Sequence, residues 1–444
     1  MAGEEANVSE NVNRRIFLGG ALAASPLSRA RAAGANGDIR LGVIGVRQRG
    51  LSHVQEFGSL KGCRIAAVCD IDRAVAERAA GVAQEQLGYR PKIYQDLRRL
   101  LEDKEVDAVT VAACNHWHAL ATIWACQAGK DVYVEKPASH NIWEGRRMIE
   151  AARKYRRIVQ VGVQARTIRH YQRAFELLRG GAIGRIYMAK VLCYKRRVAI
   201  GHAQPGPVPE GVDFDLWLGP AAKRPFQANR FHYNWHWFWD TGNGDIGNQC
   251  VHEVELARYA LGKTTLPTKV YSSGGKFVSD DDQETPNTQL AVLDYPDCRV
   301  VFEVRGLLTG GEASIEPEGR NFMGVLYFGS GGYLSLDCFG FQMYLGEERR
   351  MAESMKYVEA KHWWDLSHME NFLQAVRSRR EQDQNCRIDE GHVSAAMVHM
   401  ANISYRLGRS LDFDPAAERF IGDEEANRYL TRQYRAPFVV PEKV

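Results

Sequence analysis

Outside its amino-terminal segment the chain has no apolar run long enough to cross a bilayer, so no integral membrane domain is expected. It also lacks a Cys-x-x-Cys pair, an internal repeat and any low-complexity stretch. Its nine cysteines are odd in number. Cys69, Cys114 and Cys126 fall inside apolar runs, where a small hydrophobe is the expected role, not a disulfide or a metal ligand. Charge of one sign is scarce too: a formal net charge of +4 over 444 residues leaves no electrostatic footprint for nucleic acid. His116, His118, His232, His236 and His252 show no spacing of a paired helical metal motif with its acid, so no metal site is expected. What remains, 45% hydrophobic and 25% charged residues, describes a soluble globular protein long enough for two cores.

Residues 1–36 read as a targeting segment. Asn13-Arg14-Arg15-Ile16-Phe17-Leu18 has a twin-arginine pattern, a short apolar stretch follows, and Ala30-Arg31-Ala32 suits a small-x-small cleavage site. The expectation is bacterial export of a folded protein to the periplasm, with no stable membrane insertion once the segment is removed.

Residues 37–163 alternate strand and helix. Residues 39–45 form a strand running into a glycine turn, followed by strands at 64–70, 108–113, 132–135 and 157–163. Such a mononucleotide-binding βαβ series places ligands beyond the carboxyl ends of its strands. The turn Gly45-Val46-Arg47-Gln48-Arg49-Gly50 keeps the first and third glycines of a dinucleotide fingerprint and has Arg47 at the second. Asp70 ends the second strand, where an acid accepts hydrogen bonds from an adenosine ribose and repels a ribose phosphate. NAD is therefore expected over NADP. Lys136 closes another strand in Glu135-Lys136-Pro137, a place where a buried amine has no packing advantage over leucine.

Residues 164–411 read as a second, α+β domain. A helix over 168–180 and a strand over 186–193 precede a proline-rich loop at 199–212. Short strands at 269–273, 289–294, 299–306, 321–328 and 332–337 predict an open, largely antiparallel or mixed sheet. Helices over 365–378 and 388–407 are expected to pack back on the body, and residues 412–444 to form an irregular, charged wrap. In the glycine-rich stretch 240–257 the helical pattern starts at Gly247, setting Asn248 and His252 four apart on one face. With Lys136 on the opposite wall, the cleft would hold an amine, an imidazole and an amide, the groups needed to take a proton from an alcohol as its hydride leaves.

The Gly45 turn, Asn115-His116-Trp117-His118, Glu135-Lys136-Pro137 and the segment ending in His252 together resemble the glucose-fructose oxidoreductase, inositol dehydrogenase and MocA (Gfo/Idh/MocA) family over essentially the whole chain after residue 36. The resemblance implies a Rossmann domain over 37–163 and a substrate and oligomerisation domain after it, in a dimer or tetramer. It implies a nicotinamide cofactor, tight binding of which would suit a compartment without a free pool. Lys136 and His252 would be the catalytic pair, with Asn248 beside them. Asn115, His118 and Glu135 would line the nicotinamide half, and His116, with Gly45, Arg47, Gly50 and Asp70, counts among the cofactor residues. The family often has aspartate four residues before this histidine; this chain has Asn248, and an amide cannot share a proton as a carboxylate can.

Three functions stay open on these residues: a sugar or polyol oxidoreductase, an NAD-dependent glycosidase running a closed oxidation and reduction cycle, and an exported sugar-binding protein without turnover. Candidate substrate contacts are Trp235, His236 and Trp237 in the aromatic run 231–239, Lys195 and Arg197 after the strand at 186–193, Gln164 and Arg166 after the strand at 157–163, and Asp245. Core or interface packing is the competing explanation for the aromatic run.

Overall fold

The computed structural model describes residues 37–277, 279–307, 317–318, 321–357 and 366–444. The export segment 1–36 and Asp365, expected to open a helix, lie outside the described residues.

Six strands, β1 (Ile39–Ile44), β2 (Cys63–Cys69), β3 (Lys92–Tyr94), β4 (Ala108–Val111), β5 (Asp131–Glu135) and β6 (Val159–Gly162), form a parallel sheet in the order β3-β2-β1-β4-β5-β6. β4 and β5 are buried throughout, as strands covered on both faces must be. The strand order reverses between β1 and β4, which leaves a crevice at their carboxyl ends. The intervening helices are α1 (Arg49–Ser59), α2 (Arg73–Leu87), α3 (Leu97–Glu102), α4 (Asn115–Gln127) and α5 (Ile142–Lys154). Asp72 caps α2 by accepting from the N–H groups of Ala74 and Val75.

The second sheet is larger. After α6 (Arg169–Arg179) come β7 (Ile186–Tyr194), the short α7 (Phe214–Leu218), α8 (Gly244–Asn248) and α9 (Cys250–Ala260). Then follow β8 (Lys269–Gly275), β9 (Thr288–Asp294), β10 (Arg299–Arg305), β11 (Pro317–Glu318), β12 (Asn321–Gly329), β13 (Gly332–Asp337), β14 (Gly340–Leu345) and β15 (Arg350–Lys356). The chain ends with α10 (Ser367–Ser378), α11 (Ile388–Leu407), β16 (Leu411–Asp414), β17 (Arg419–Phe420) and α12 (Glu424–Arg428). Among the described residues the sheet runs β15-β14-β13-β12-β7-β10-β9-β8-β16-β17, with β11 on β12, and is mixed because β10 pairs parallel with β7 while the other pairs are antiparallel.

Three expectations change. The hairpin β14 and β15, and the short β3, β11 and β16, are additional strands. The helix of the glycine-rich stretch starts at Gly244, not Gly247, and breaks at Gln249 before α9 resumes it. The wrap 412–444 is not irregular throughout: it holds most of β16, all of β17 and α12, and its Phe438 ring meets Trp117 edge-on at 5.5 Å. α10 completes the core of the first sheet, where Phe372 packs against Phe57 and Tyr133 with ring centroids 6.2 and 5.7 Å apart. α11, with Ala395 in a core of the first sheet and Met397 and Val398 in the core of the second, ties the two sheets together.

Candidate active site

The carboxyl ends of the first sheet open on a cleft of about 370 Å³. Its opposite wall comes from Lys195 beyond β7, the segment around Tyr233 to His236, and α8 and α9. Gly45 has φ +78°, and a Cβ there would stand 2.8 Å from the Ala113 nitrogen. At Gly50 a Cβ would stand 1.7 Å from the Gly45 carbonyl oxygen, so the first turn of α1 approaches β1 only because this residue is glycine. Gly50 therefore shapes the turn from beneath, without lining the cleft. Among the described residues no side chain caps α1, which leaves its first N–H groups for an anion. Arg47 is exposed at the cleft mouth. Asp70 accepts from the N–H of Val46 (2.8 Å) and of Asp72 (3.1 Å). Burial raises its carboxyl to about 6 against the pull of those two donors. A glycine turn, an uncapped helix and an acid at the end of β2 fit a dinucleotide.

The adenosine end of this cleft is covered by residues between 211 and 232. Gln95 donates to the Gly211 carbonyl (2.9 Å), the Asp213 N–H to the Ile71 carbonyl (2.9 Å), and the His232 ring meets Asp72 at 3.1 Å.

At the other end, Glu135 is engaged by Arg49 (2.8 Å) and by the His53 ring (3.0 Å). Burial alone would raise this carboxyl, but Arg49 and His53 outweigh it and hold it well below the usual carboxylate range. Gln164, with its amide oxygen toward the Tyr133 hydroxyl (2.9 Å) and Arg49 (2.8 Å), completes the cluster. The carboxylate beside Lys136 is thus largely spent. The Lys136 amine donates to the main-chain carbonyl of Asn248 at 2.5 Å. Burial lowers its ammonium to about 8; Glu135 opposes the fall, and Lys195 and Arg49 add to it. Burial and then the Lys136 charge push the His252 imidazole well below its ordinary value, so it is neutral at pH 7. The Asn248 side chain lies 3.4 Å from the Tyr233 hydroxyl, and Lys195 donates to the Gln249 side chain at 2.7 Å. Both nitrogens of His118 face carbonyl oxygens, of Pro137 (2.8 Å) and Ala113 (3.0 Å), while Asn115 donates to Asn243 (3.1 Å).

The cleft therefore gathers Gly45, Arg47, Asp70, Asn115, His118, Glu135, Lys136, Gln164, Lys195, Trp235, His236, Asn248 and His252. Five other sequence candidates are placed elsewhere, each because it is consumed by a partner. His116 is fully buried between the carbonyls of Trp217 (3.0 Å) and Thr241 (3.3 Å). Arg166 pairs with Glu255 (2.7 Å) beneath the cleft. Arg197 and Asp245 pair with each other (2.9 Å), and the Arg197 guanidinium stands 5.0 Å from the Trp237 ring, so none of these three lines the wall. The aromatic run thus divides between roles: Trp235 and His236 face the cleft, whereas Trp237 and Phe238 are packing. Sequence reasoning missed Arg49, His53, Tyr233 and Gln249. The four-residue spacing of Arg49 and His53 on α1 was the available signal for the first pair.

The fold and cleft define a dinucleotide-binding Rossmann domain joined to an open mixed sheet, with an amine and an imidazole facing each other across the join. Residues 39–163 match the family model described as "Oxidoreductase family, NAD-binding Rossmann fold", and residues 192–307 and 352–440 match its "C-terminal alpha/beta domain". The chain belongs to the Gfo/Idh/MocA family. It is 25% identical over 255 residues to the myo-inositol 2-dehydrogenase of Thermotoga maritima, covering 57% of this chain and 64% of that protein, just under two thirds. It is 35% identical over 120 residues to the alpha-N-acetylgalactosaminidase of Shewanella oneidensis, covering 26% of each. Among solved structures, the WlbA dehydrogenase of Bordetella pertussis, in complex with NADH and UDP-GlcNAcA, superposes with a TM-score of 0.61 at 20% identity, covering 85% of this chain and 99% of that one; this similarity speaks to the fold.

Proposed function

We propose that the protein is an NAD-dependent oxidoreductase that moves a hydride between a nicotinamide and a secondary hydroxyl of a sugar, glycoside or polyol. The observation that carries this reading is Lys136, an amine held in the cleft whose ammonium burial lowers to about 8 against the pull of Glu135, with no ion pair to a carboxylate among the described residues. A bound nicotinamide would supply the hydride acceptor. Lys136, deprotonated, takes the hydroxyl proton at Nζ, and its ammonium returns that proton in the reverse direction. The Asn248 carbonyl orients the amine, and the neutral His252 imidazole holds the hydroxyl from the facing wall. Trp235 and His236, their rings stacked 3.6 Å apart, offer a face for a sugar ring. Asp70 favours NAD over NADP, and the cover over the adenosine end favours slow release of the cofactor. Cofactor-loaded protein challenged with a panel of sugars, polyols and glycosides should change its nicotinamide absorbance with at least one of them; no change with any would leave the binding-protein reading in its place.

A second reading, the closed-cycle glycosidase, rests on Asn248 and on the 120-residue similarity to the Shewanella enzyme. Aglycone release without accumulation of NADH would select it. Export to the periplasm rests on the Arg14-Arg15 pattern; replacing both with lysine should retain the precursor in the cytoplasm. A homo-oligomer is supported by the open face of the second sheet, where Tyr271 (47% exposed) and Leu290 (43% exposed) stand free in the single chain, and light scattering measures it.

A further inference from the structure

A second cavity, of about 530 Å³, lies beyond Asn243, whose side chain supports Asn115 of the cleft. Three guanidiniums, of Arg406, Arg428 and Arg432, line it, and none has an ion pair among the described residues. Elsewhere, the buried Arg166 and the half-buried Arg197 each meet a carboxylate. Arg406 is held by ring faces instead: its guanidinium lies 5.0 Å from the Trp239 centroid and 4.5 Å from that of Tyr429. Stacking fixes the plane of the fork and consumes none of its N–H donors. Arg432 is anchored through one nitrogen, Nη1, to the Asp240 carbonyl (2.8 Å) and the His140 ring (3.3 Å).

The two carboxylates in the same wall are engaged outward. Asp240 pairs with Arg224 (2.7 Å), and Glu425 with Arg409 (2.7 Å). The positive charge is therefore not cancelled locally, in keeping with the lowered pKa values of His116 and His140, where burial comes first and the Arg432 charge next. The floor is polar, with His399 and Asn402 buried. Planar forks with unspent donors recognise carboxylate and phosphate in bidentate fashion, and the volume is that of a small-molecule site.

We propose that this cavity is a second binding site, separate from the cleft, for a small molecule bearing phosphate or carboxylate groups. Calorimetric titration of the full chain with pyrophosphate and with citrate, at matched ionic strength, tests it. Saturable binding of at least one is expected; pyrophosphate alone marks a phosphate ligand, citrate alone a carboxylate ligand. Arg406→Gln and Arg432→Gln should each weaken that binding about tenfold, the loss expected for a charge-assisted hydrogen bond. Arg428→Gln, at the exposed end of α12, should weaken it by a smaller factor without touching the fold, and Arg47→Gln, at the mouth of the cleft, should leave it unchanged. Absence of saturable binding with both anions would overturn the proposal, as would binding abolished by Arg47→Gln and indifferent to the three cavity variants.

Discussion

Two cations in this molecule, Arg166 in the interior and Lys136 half-buried at the cleft wall, have opposite surroundings. Arg166 donates to Glu255 (2.7 Å), which also receives Arg258 (2.8 Å) and the Ser394 hydroxyl, and a main-chain carbonyl at Asn385 (2.7 Å) takes another of its donors. Lys136 has beside it a carboxylate already claimed by Arg49 and His53, and its own bond goes to a neutral carbonyl. The first arrangement fixes charge. The Glu255 carboxyl, which burial would raise, is kept below its ordinary value by two guanidiniums, so the cluster stays ionised and ties α9 to α11 and to the end of the first sheet. The second arrangement releases a proton near neutral pH. Burial of a cation is thus structural in one place and chemical in the other, and the difference is whether a carboxylate is available.

The largest effects should separate these roles. Lys136→Ala and His252→Ala are each expected to lower turnover by about 10² to 10⁴ with cofactor still bound, the range for losing a positioned proton acceptor or its partner; steady-state rates beside cofactor stoichiometry measure it. Glu255→Ala should do the reverse. By leaving Arg258 without its ion pair in the interior, and Arg166 with Glu390 alone (3.1 Å), it should cost about 3 kcal/mol of stability, read by denaturant titration. What activity survives should keep the wild-type pH profile.

Smaller changes probe the cleft charge by charge. Asp70→Ser is expected to narrow the preference for NAD over NADP by on the order of 1 to 2 kcal/mol, seen in the ratio of dissociation constants for the two cofactors. Asn248→Asp places a carboxylate beside the amine and should raise the Lys136 pKa by about one unit. Oxidation needs the neutral amine, so its rising limb should move to higher pH, while the reverse reduction, which needs the ammonium, should hold its rate to higher pH.

The same contrast explains what the sequence made legible. The first sheet was readable because a parallel strand buried on both faces is a continuous apolar run, and Lys136 stood out as a charge at the end of one. Gly45 and Gly50 were readable because steric approach demands glycine there. Arg166 and Arg197, both expected at the substrate, were misplaced because their partners lie 89 and 48 residues away, and nothing local in the chain announces such a pairing. Trp237 looked like its neighbour Trp235 for the same reason. The break at Gln249, which turns α8 into α9, was hidden because both pieces keep helical spacing.

The central claim is that Lys136 loses its proton near pH 8 because burial in the cleft wall disfavours its charge and, among the described residues, no carboxylate forms an ion pair with it, and this can be measured without knowing the substrate. The rate at which an amine-acylating reagent labels Lys136, followed by peptide mass spectrometry from pH 6 to about 11, reports the deprotonated fraction directly. The account predicts a midpoint near 8, with Asn248→Asp moving it upward. A midpoint near 10.5, the ordinary lysine value, in both proteins would contradict it.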